Sequence, residues 1–129
     1  MKPTVLYIED HADNMTLVRR IIQSENYTMI EAKTGFQGIF IAESQDIDII
    51  LLDINLPDID GYEVARRLRT SKKTALAHVP IIAITANAMK GDAIKVIAAG
   101  CDMYISKPIN IQELSDKVKQ FVSTKDDKI

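Results

Sequence analysis

Five short apolar runs rich in β-branched residues alternate along the chain with segments whose apolar residues recur at helical spacing. Short, near-continuous apolar runs of this kind predict strands that are buried on both faces. We therefore predict strands at Thr4–Ile8, Thr28–Ala32, Ile47–Leu52, Val79–Thr85 and Met103–Ser106.

The intervening segments predict amphipathic helices because their apolar residues fall three or four positions apart. The first three show this spacing at Leu17, Val18, Ile21 and Ile22, at Phe36, Ile39, Phe40 and Ile41, and at Val64 and Leu68. A fourth helix is predicted over Ala93–Ala99, with Gly100 as its C-terminal cap. A fifth is predicted from Ile111 to Phe121, with Asn110 as its N-cap.

The alternation of strands and helices predicts the fold class. Buried parallel strands need helical crossovers, and five such units give a doubly wound α/β fold, (βα)5, with helices on both faces of a parallel sheet. The chain has 129 residues, which suits one domain. We place that domain at residues 1–123 and a short polar C-terminal tail at 124–129.

Composition narrows the function class. Hydrophobic residues make up 47% of the chain and charged residues 26%, which is typical of a globular domain. A formal net charge of −2 argues against an electrostatically driven partner, so we expect neither direct nucleic-acid binding nor membrane binding. The single cysteine, Cys101, and the absence of a signal-peptide core or membrane-length apolar run predict a cytoplasmic protein.

Polar residues follow the predicted strands at the point where each strand ends. Glu9 and Asp10 follow the first strand, Asp53 follows the third, Thr85 closes the fourth and Lys107 follows the fifth. Doubly wound sheets bind ligands beyond the carboxyl ends of their strands, so these side chains mark the candidate site.

Three carboxylates at one edge of a sheet require a counter-charge. Two carboxylates 4 Å apart repel by about 4 kcal/mol at an effective dielectric near 20. An all-oxygen ligand set favours Mg²⁺, with Mn²⁺ as a possible substitute. A divalent cation beside a carboxylate, a hydroxyl and a lysine suits phosphoryl transfer, with Asp53 as the nucleophile.

Other site classes with acidic or phosphate-binding motifs fit less well. An EF-hand loop starting at Asp53 would need glycine at Asp58 and glutamate at Val64. A phosphatase of the haloacid dehalogenase type, which also uses an aspartyl phosphate, would need a second aspartate where Asn55 stands. The glycine-rich motifs of nucleotide-binding folds are absent from the sequence.

Four motifs together resemble a known family. They are Tyr7-Ile8-Glu9-Asp10, Leu51-Leu52-Asp53-Ile54-Asn55-Leu56-Pro57 with Asp60-Gly61, Ile84-Thr85-Ala86-Asn87-Ala88-Met89, and Tyr104-Ile105-Ser106-Lys107-Pro108. Their order and their places at the strand ends resemble the CheY-like receiver domain of two-component response regulators, over essentially residues 3–123. The resemblance implies a flavodoxin-like sheet of strand order 2-1-3-4-5.

The resemblance also implies roles for individual residues. Asp10 and Asp53 would bind Mg²⁺ directly, the carbonyl of Asn55 would complete the protein ligands, and Glu9 would bind through water. Asp53 would accept a phosphoryl group whose oxygens Thr85 and Lys107 bind. Two further features are implied, a switch aromatic at Tyr104, which moves inward with Thr85, and a cis bond between Lys107 and Pro108. An aromatic that simply packs in the core is the alternative for Tyr104.

The sequence departs from many members of the family at two positions. Glu9 stands where many have aspartate, and its extra methylene should alter the outer shell of the metal more than abolish binding. His11 stands where many hybrid-kinase receivers have asparagine, and we assign it no role.

The resemblance implies a histidine kinase or histidine phosphotransfer protein upstream and an effector protein downstream. We expect a stand-alone or DivK-type single-domain receiver that is a monomer and is not an enzyme. Met15, predicted to be exposed at the edge of the first helix, and Pro57 should border the upstream interface, and Met89 should lie on the output face. For Met15 the alternative is packing on the fifth helix. The alternative function is a phosphorelay shuttle or a hybrid-kinase module. The complete set of acceptor residues argues against a third function, a scaffold that is not phosphorylated.

Overall fold

A computed structural model describes residues 2–86 and 91–126, and the side chains of that range as far as Val122. Five parallel strands form one sheet in the order β2-β1-β3-β4-β5, which confirms the predicted fold. The strands are β1 (Thr4–Ile8), β2 (Thr28–Ala32), β3 (Ile49–Asp53), β4 (Ile81–Thr85) and β5 (Met103–Ser106).

Two strands begin two residues later than predicted. The fourth was predicted from Val79, but the Val79 amide donates to the carbonyl of Ala75 and Pro80 has no N–H to donate. The Ala75 carbonyl belongs to a short 3-10 helix over Thr74–Ala77, which the hydrophobic pattern did not indicate. The third was predicted from Ile47, and it instead begins after Asp48, whose carboxylate accepts the backbone N–H of Thr4.

Among the described residues, five α-helices connect and flank the strands. They are α1 (Ala12–Ser24), α2 (Gly35–Ser44), α3 (Gly61–Arg69), α4 (Asp92–Ala98) and α5 (Ile111–Asp126). The fifth continues to Asp126, past the predicted end at Phe121 and past the predicted start of a tail at residue 124. Within the part of the chain that is described, no helix is long and apolar enough to cross a membrane.

The predicted helix caps are confirmed. The Asn110 side chain accepts the backbone N–H of Glu113 at 2.9 Å, which satisfies a free donor in the first turn of α5. After α4, Gly100 adopts φ +110°, a conformation that side chains disfavour. The amides of Gly100 and Cys101 bond back to Ile97 and Val96, so the helix ends in a Schellman motif one residue earlier than predicted.

Two apolar clusters cover the two faces of the sheet. One combines alternate strand residues with α2, α3 and α4, and the other combines the remaining strand residues with α1 and α5. All residues of β3 and β4 are buried, and β1 is buried from Val5 to its end. Because the strands cannot shift within such a core, the groups at their carboxyl ends are held in fixed positions.

The prediction that Met15 is exposed is wrong. Its side chain is 4% exposed and lies in the cluster that α1 and α5 share. Met15, Val18 and Ile22 fall at positions i, i+3 and i+7, which places Met15 within the buried stripe of α1. Leu17, which was taken as part of that stripe, is only partly buried. Met15 is therefore unavailable as an interface residue.

Candidate functional site

The structure brings the predicted chemical groups together at the carboxyl edge of the sheet. Asp53 is the last residue of β3, and Glu9 follows β1 directly. One carboxylate oxygen from each of Glu9, Asp10 and Asp53 lies within 4.8 Å of the other two. Lys107, just after β5, places its Nζ 3.0 Å from Asp53 Oδ1.

The two oxygens of Asp53 have different surroundings. Oδ1 pairs with Lys107 and also accepts the backbone N–H of Asn55 at 3.1 Å. Oδ2 is buried and has no hydrogen-bond partner among the described residues. A buried carboxylate oxygen without a donor is costly. Its free lone pairs make Oδ2 the atom best placed to bind a cation or attack an electrophile.

Burial dominates the electrostatics of Asp53. Together, its surroundings raise the pKa of this carboxyl to about 7. Desolvation by burial is the largest cause, the hydrogen bond and charge of the neighbouring Glu9 add to it, and Lys107 and the Asn55 amide oppose it. Without a cation, the Asp53 carboxyl beside Glu9 is therefore partly protonated near neutral pH. A bound divalent cation would favour the ionised form.

The Glu9 carboxylate is surrounded by donors. Oε1 accepts from the Tyr7 hydroxyl at 2.9 Å and from the Asn14 side-chain amide at 3.0 Å. Oε2 accepts the backbone N–H groups of Asp10 at 3.1 Å and of His11 at 3.4 Å. Burial on its own raises the pKa of Glu9, but the hydrogen bonds and the charge of Lys107 outweigh burial and hold that pKa below its usual value.

The donor set fits a hard divalent cation. Two of the three carboxylates, Glu9 and Asp53, are buried, while Asp10 is exposed. The orphaned Asp53 Oδ2 points to a ligand that supplies positive charge, and oxygen ligands with no cysteine or histidine suit Mg²⁺. Asp10, Asp53 and the carbonyl of Asn55 would hold the cation, with Glu9 in the outer shell.

Thr85 is buried at the end of β4, but its hydroxyl forms a hydrogen bond away from the cluster of three carboxylates. Oγ1 donates to Asp92 Oδ2 at 3.0 Å, and Asp92 is the first residue of α4. The backbone carbonyl of Thr85 accepts the N–H of Lys107 at 2.9 Å, which ties the ends of β4 and β5 together. Thr85 thus connects the site to α4.

The remaining predicted residues lie at the edge of the site or beyond it. The bond between Lys107 and Pro108 is cis, as predicted. Tyr104, on β5, is 37% exposed, so its ring is not the core aromatic that was the alternative. Pro57 is exposed in the loop after β3. Met89, predicted for the output face, lies outside the described residues.

Large hydrophobic side chains stay exposed on α4, β5 and the start of α5: Ile94, Ile97, Tyr104 and Ile111. Exposed apolar side chains are typical of a protein–protein interface where they form one patch.

Three residues of the site were not predicted from the sequence. Tyr7 was treated as part of a motif and not as a donor, although positions 7 and 9 share one face of a strand. Asn14 follows Glu9 in the first turn of α1, where a polar side chain can turn back to the strand end. Asp92 gave no signal, because only the folded chain brings the start of α4 to Thr85.

The comparisons with known proteins agree with this geometry. A family model described as "Response regulator receiver domain" matches residues 5–119. The polar-differentiation response regulator DivK of Brucella ovis is 37% identical over 122 residues, covering 95% of this chain and 98% of that protein.

Solved structures share the fold. The receiver domain of sensor histidine kinase PA1611 from Pseudomonas aeruginosa PAO1, with a magnesium ion coordinated in its active site cleft, is 33% identical with a TM-score of 0.87. It covers 95% of this chain and 99% of its own. The receiver domain of Ssk1, crystallised with the phosphotransfer protein Ypd1 of Saccharomyces cerevisiae, is 26% identical with a TM-score of 0.88, covering 96% and 91%.

Proposed function

The chain belongs to the response regulator receiver domain family, and on that premise we propose that it is a signalling switch phosphorylated on Asp53. The observation that carries the proposal is the contrast between the two oxygens of Asp53: Oδ1 is held by Lys107 and the Asn55 amide, and buried Oδ2 has no donor among the described residues. That arrangement orients the carboxylate and leaves one oxygen for chemistry.

In the proposed reaction, Asp53 Oδ2 attacks the phosphorus of a phosphohistidine. An O–P bond forms and the P–N bond breaks, and the imidazole nitrogen keeps the electron pair and takes a proton. Mg²⁺ would supply charge neutralisation for the phosphoryl oxygens. Lys107, already 3.0 Å from Asp53 Oδ1, is placed to pair with the new phosphoryl oxygens. The chain would promote only its own Mg²⁺-dependent phosphorylation and dephosphorylation, and it would not act as an enzyme on other substrates.

Phosphorylation would then act on the switch through Thr85. The aspartyl phosphate adds negative charge and acceptor oxygens at the carboxyl edge of β3. The Thr85 hydroxyl, which donates to Asp92 in this structure, gains a competing acceptor. Its movement would release the start of α4 and draw Tyr104 inward, which changes the exposed face formed by Ile94, Ile97 and Tyr104.

The partners follow from the same chemistry. The upstream partner would present a phosphohistidine, on a histidine kinase or a phosphotransfer protein, at the loop that carries exposed Pro57. The Ssk1 receiver domain, which shares this fold, is found in complex with such a phosphotransfer protein. The downstream partner would be an effector protein that binds the exposed apolar face of α4 and β5.

A second function is a phosphorelay, in which Asp53 passes its phosphoryl group to another phosphotransfer protein. The likeness to the receiver domain of a sensor histidine kinase supports it. Incubation of the purified, aspartyl-phosphorylated chain with histidine phosphotransfer proteins distinguishes the two functions. Rapid return of the phosphoryl group to histidine supports the relay, and retention of the phosphoryl group supports the terminal switch.

Incubation with acetyl phosphate and Mg²⁺, followed by intact-mass measurement, tests the phosphoacceptor. The wild type should gain one phosphoryl group, and none should be gained after removal of the metal by a chelator or in Asp53→Asn. Asp46→Asn, which removes a fully exposed carboxylate elsewhere, is the matched control and should be labelled like the wild type. Labelling of Asp53→Asn at the wild-type level would overturn the proposal.

A further inference from the structure

Tyr7 and Glu9 lie two residues apart at the end of β1, so their side chains project from the same face of the sheet. Both residues are completely buried. The Tyr7 hydroxyl donates to Glu9 Oε1 at 2.9 Å, and this is the hydrogen bond that the buried phenol makes. The pKa of Tyr7 lies well above its usual value, first because of burial and then because of the charge of Glu9, so the phenol stays protonated and remains a donor.

The other donors complete the enclosure of the Glu9 carboxylate. Asn14 also donates to Oε1, and the backbone N–H groups of Asp10 and His11 point to Oε2. Glutamate has one more rotatable bond than aspartate, so its carboxylate has more positions to choose from when it is not held. The backbone donors would be present for any residue at position 9. The two side-chain donors, in contrast, depend on the residue types at positions 7 and 14.

We propose that Tyr7 is a positioning residue for Mg²⁺, which together with Asn14 fixes the longer Glu9 carboxylate in the orientation that the outer shell of the cation needs. The inference rests on the proposed Mg²⁺-dependent function of the site. Groups that orient ligands of a metal commonly change its affinity by 10- to 100-fold when they are removed. The Tyr7 hydroxyl donates its hydrogen bond to Glu9, and it is through Glu9 that Tyr7 acts on the cation.

The direct test is a titration with Mg²⁺ alone, followed through the backbone amide shifts of Asp10 and Asn55 by NMR. Tyr7→Phe removes one oxygen and keeps the ring in the core. It should weaken Mg²⁺ binding about tenfold. Tyr27→Phe is the matched control, since the Tyr27 ring packs on the same apolar cluster away from the acids, and it should leave the affinity unchanged. Equal affinity of Tyr7→Phe and the wild type would overturn the inference.

A double-mutant cycle separates positioning from general packing. Glu9→Asp shortens the side chain by about 1.5 Å, which takes the carboxylate out of hydrogen-bond reach of the Tyr7 hydroxyl. In the Glu9→Asp background, Tyr7→Phe should therefore change the Mg²⁺ affinity less than twofold. A tenfold loss in both backgrounds would show that the phenol supports the site through the core, and would contradict the inference.

Asn14→Ala removes the other side-chain donor from the same oxygen, and Asn14 is only partly buried on α1. It keeps the inference testable if Tyr7→Phe does not fold. We expect Asn14→Ala to weaken Mg²⁺ binding severalfold in the wild-type background and to leave it unchanged in the Glu9→Asp background. Equal losses in both backgrounds would overturn the role of Asn14 in positioning Glu9. A wild-type chain that binds no Mg²⁺ would overturn the proposed function as well. Mg²⁺ binding that is unaffected by these variants would overturn this inference alone.

Discussion

The acidic half of the site and its switch half are built differently. The acids lie between β1 and β3 beside α1, whose Met15, Val18, Ile21 and Ile22 are all buried. Thr85 is linked instead to α4, a helix of seven residues in which Val96 is the buried one. Elements with little buried apolar area open at a low free-energy cost, and well-packed elements do not. In the proposed function, the rigid, well-packed half holds the chemistry, and the half with less buried apolar area is the one that moves.

The largest expected effect tests this difference in packing. Met15→Lys places a charge in the core between α1 and α5 and should lower the free energy of unfolding by at least about 3 kcal/mol, with loss of folding as the extreme result. Ile94→Lys, on the opposite kind of helix, changes a side chain that is 78% exposed and should stay within about 0.5 kcal/mol of the wild type. Urea denaturation measures both. Similar losses in the two variants would show that the halves are packed alike.

A smaller effect concerns the pH dependence of the metal-free acidic half. The pKa of Asp53 is raised from 3.8 to about 7 by folding, so the native state holds a proton that the unfolded chain has released across that interval. The contribution of this proton to the free energy of unfolding is fully present below pH 3.8. It falls by up to about 1.4 kcal/mol per pH unit as the pH rises towards 7. The lowered pKa of Glu9 offsets part of that loss.

Asp53→Asn removes the titration of Asp53. In a chelator, we therefore expect the unfolding free energy of the wild type to fall relative to that of Asp53→Asn between pH 5 and 7. Addition of Mg²⁺ at pH 7 should restore stability to the wild type more than to the variant. Parallel pH profiles for the two proteins would show that burial of the Asp53 carboxylate does not control the stability of the site.

The smallest expected effect lies in the switch half. Asp92→Ala removes the acceptor of the Thr85 hydroxyl and should lower the unfolding free energy by about 1 kcal/mol, the usual contribution of one hydrogen bond. The variant should also change the amide shift of Thr85 without altering the Mg²⁺ affinity of the acidic half. A change in Mg²⁺ affinity as large as that in Tyr7→Phe would mean that the two halves are not separable.

The sequence predicted the acidic half better than the switch half, and the reason is physical. Glu9, Asp53 and Lys107 follow apolar strands directly, so hydrophobic periodicity alone fixed their common edge. Met15 was wrongly predicted to be exposed because Leu17 was assigned to the buried face of the first helix. Assigning one flanking residue to that face rotates the whole predicted buried stripe around the helix. The Thr85–Asp92 bond joins the end of a strand to the start of the next helix, and its geometry depends on how the connecting loop folds. No local pattern encodes that distance.

The same limit applies to the support of Glu9. The strand spacing could have paired Tyr7 with Glu9, but the hydrophobic pattern assigns a tyrosine inside an apolar run to the core. The structure shows that Tyr7 does both, with its ring in the cluster shared by α1 and α5 and its hydroxyl on Glu9. A pattern that classes each position as either hydrophobic or polar cannot describe a side chain that has an apolar body and a polar end.

The most direct test of the account is to occupy Asp53 and ask which half responds. Beryllofluoride with Mg²⁺ resembles the phosphoryl group, and backbone amide shifts report on each residue separately. In the wild type, we expect shifts at Asp10 and Asn55 in the acidic half and at Asp92 and Tyr104 in the switch half. In Thr85→Ala, the acidic half should respond as before while Asp92 and Tyr104 keep their unligated shifts. Equal responses of Asp92 and Tyr104 in the two proteins would contradict the claim that Thr85 carries the signal from the rigid half to the mobile one.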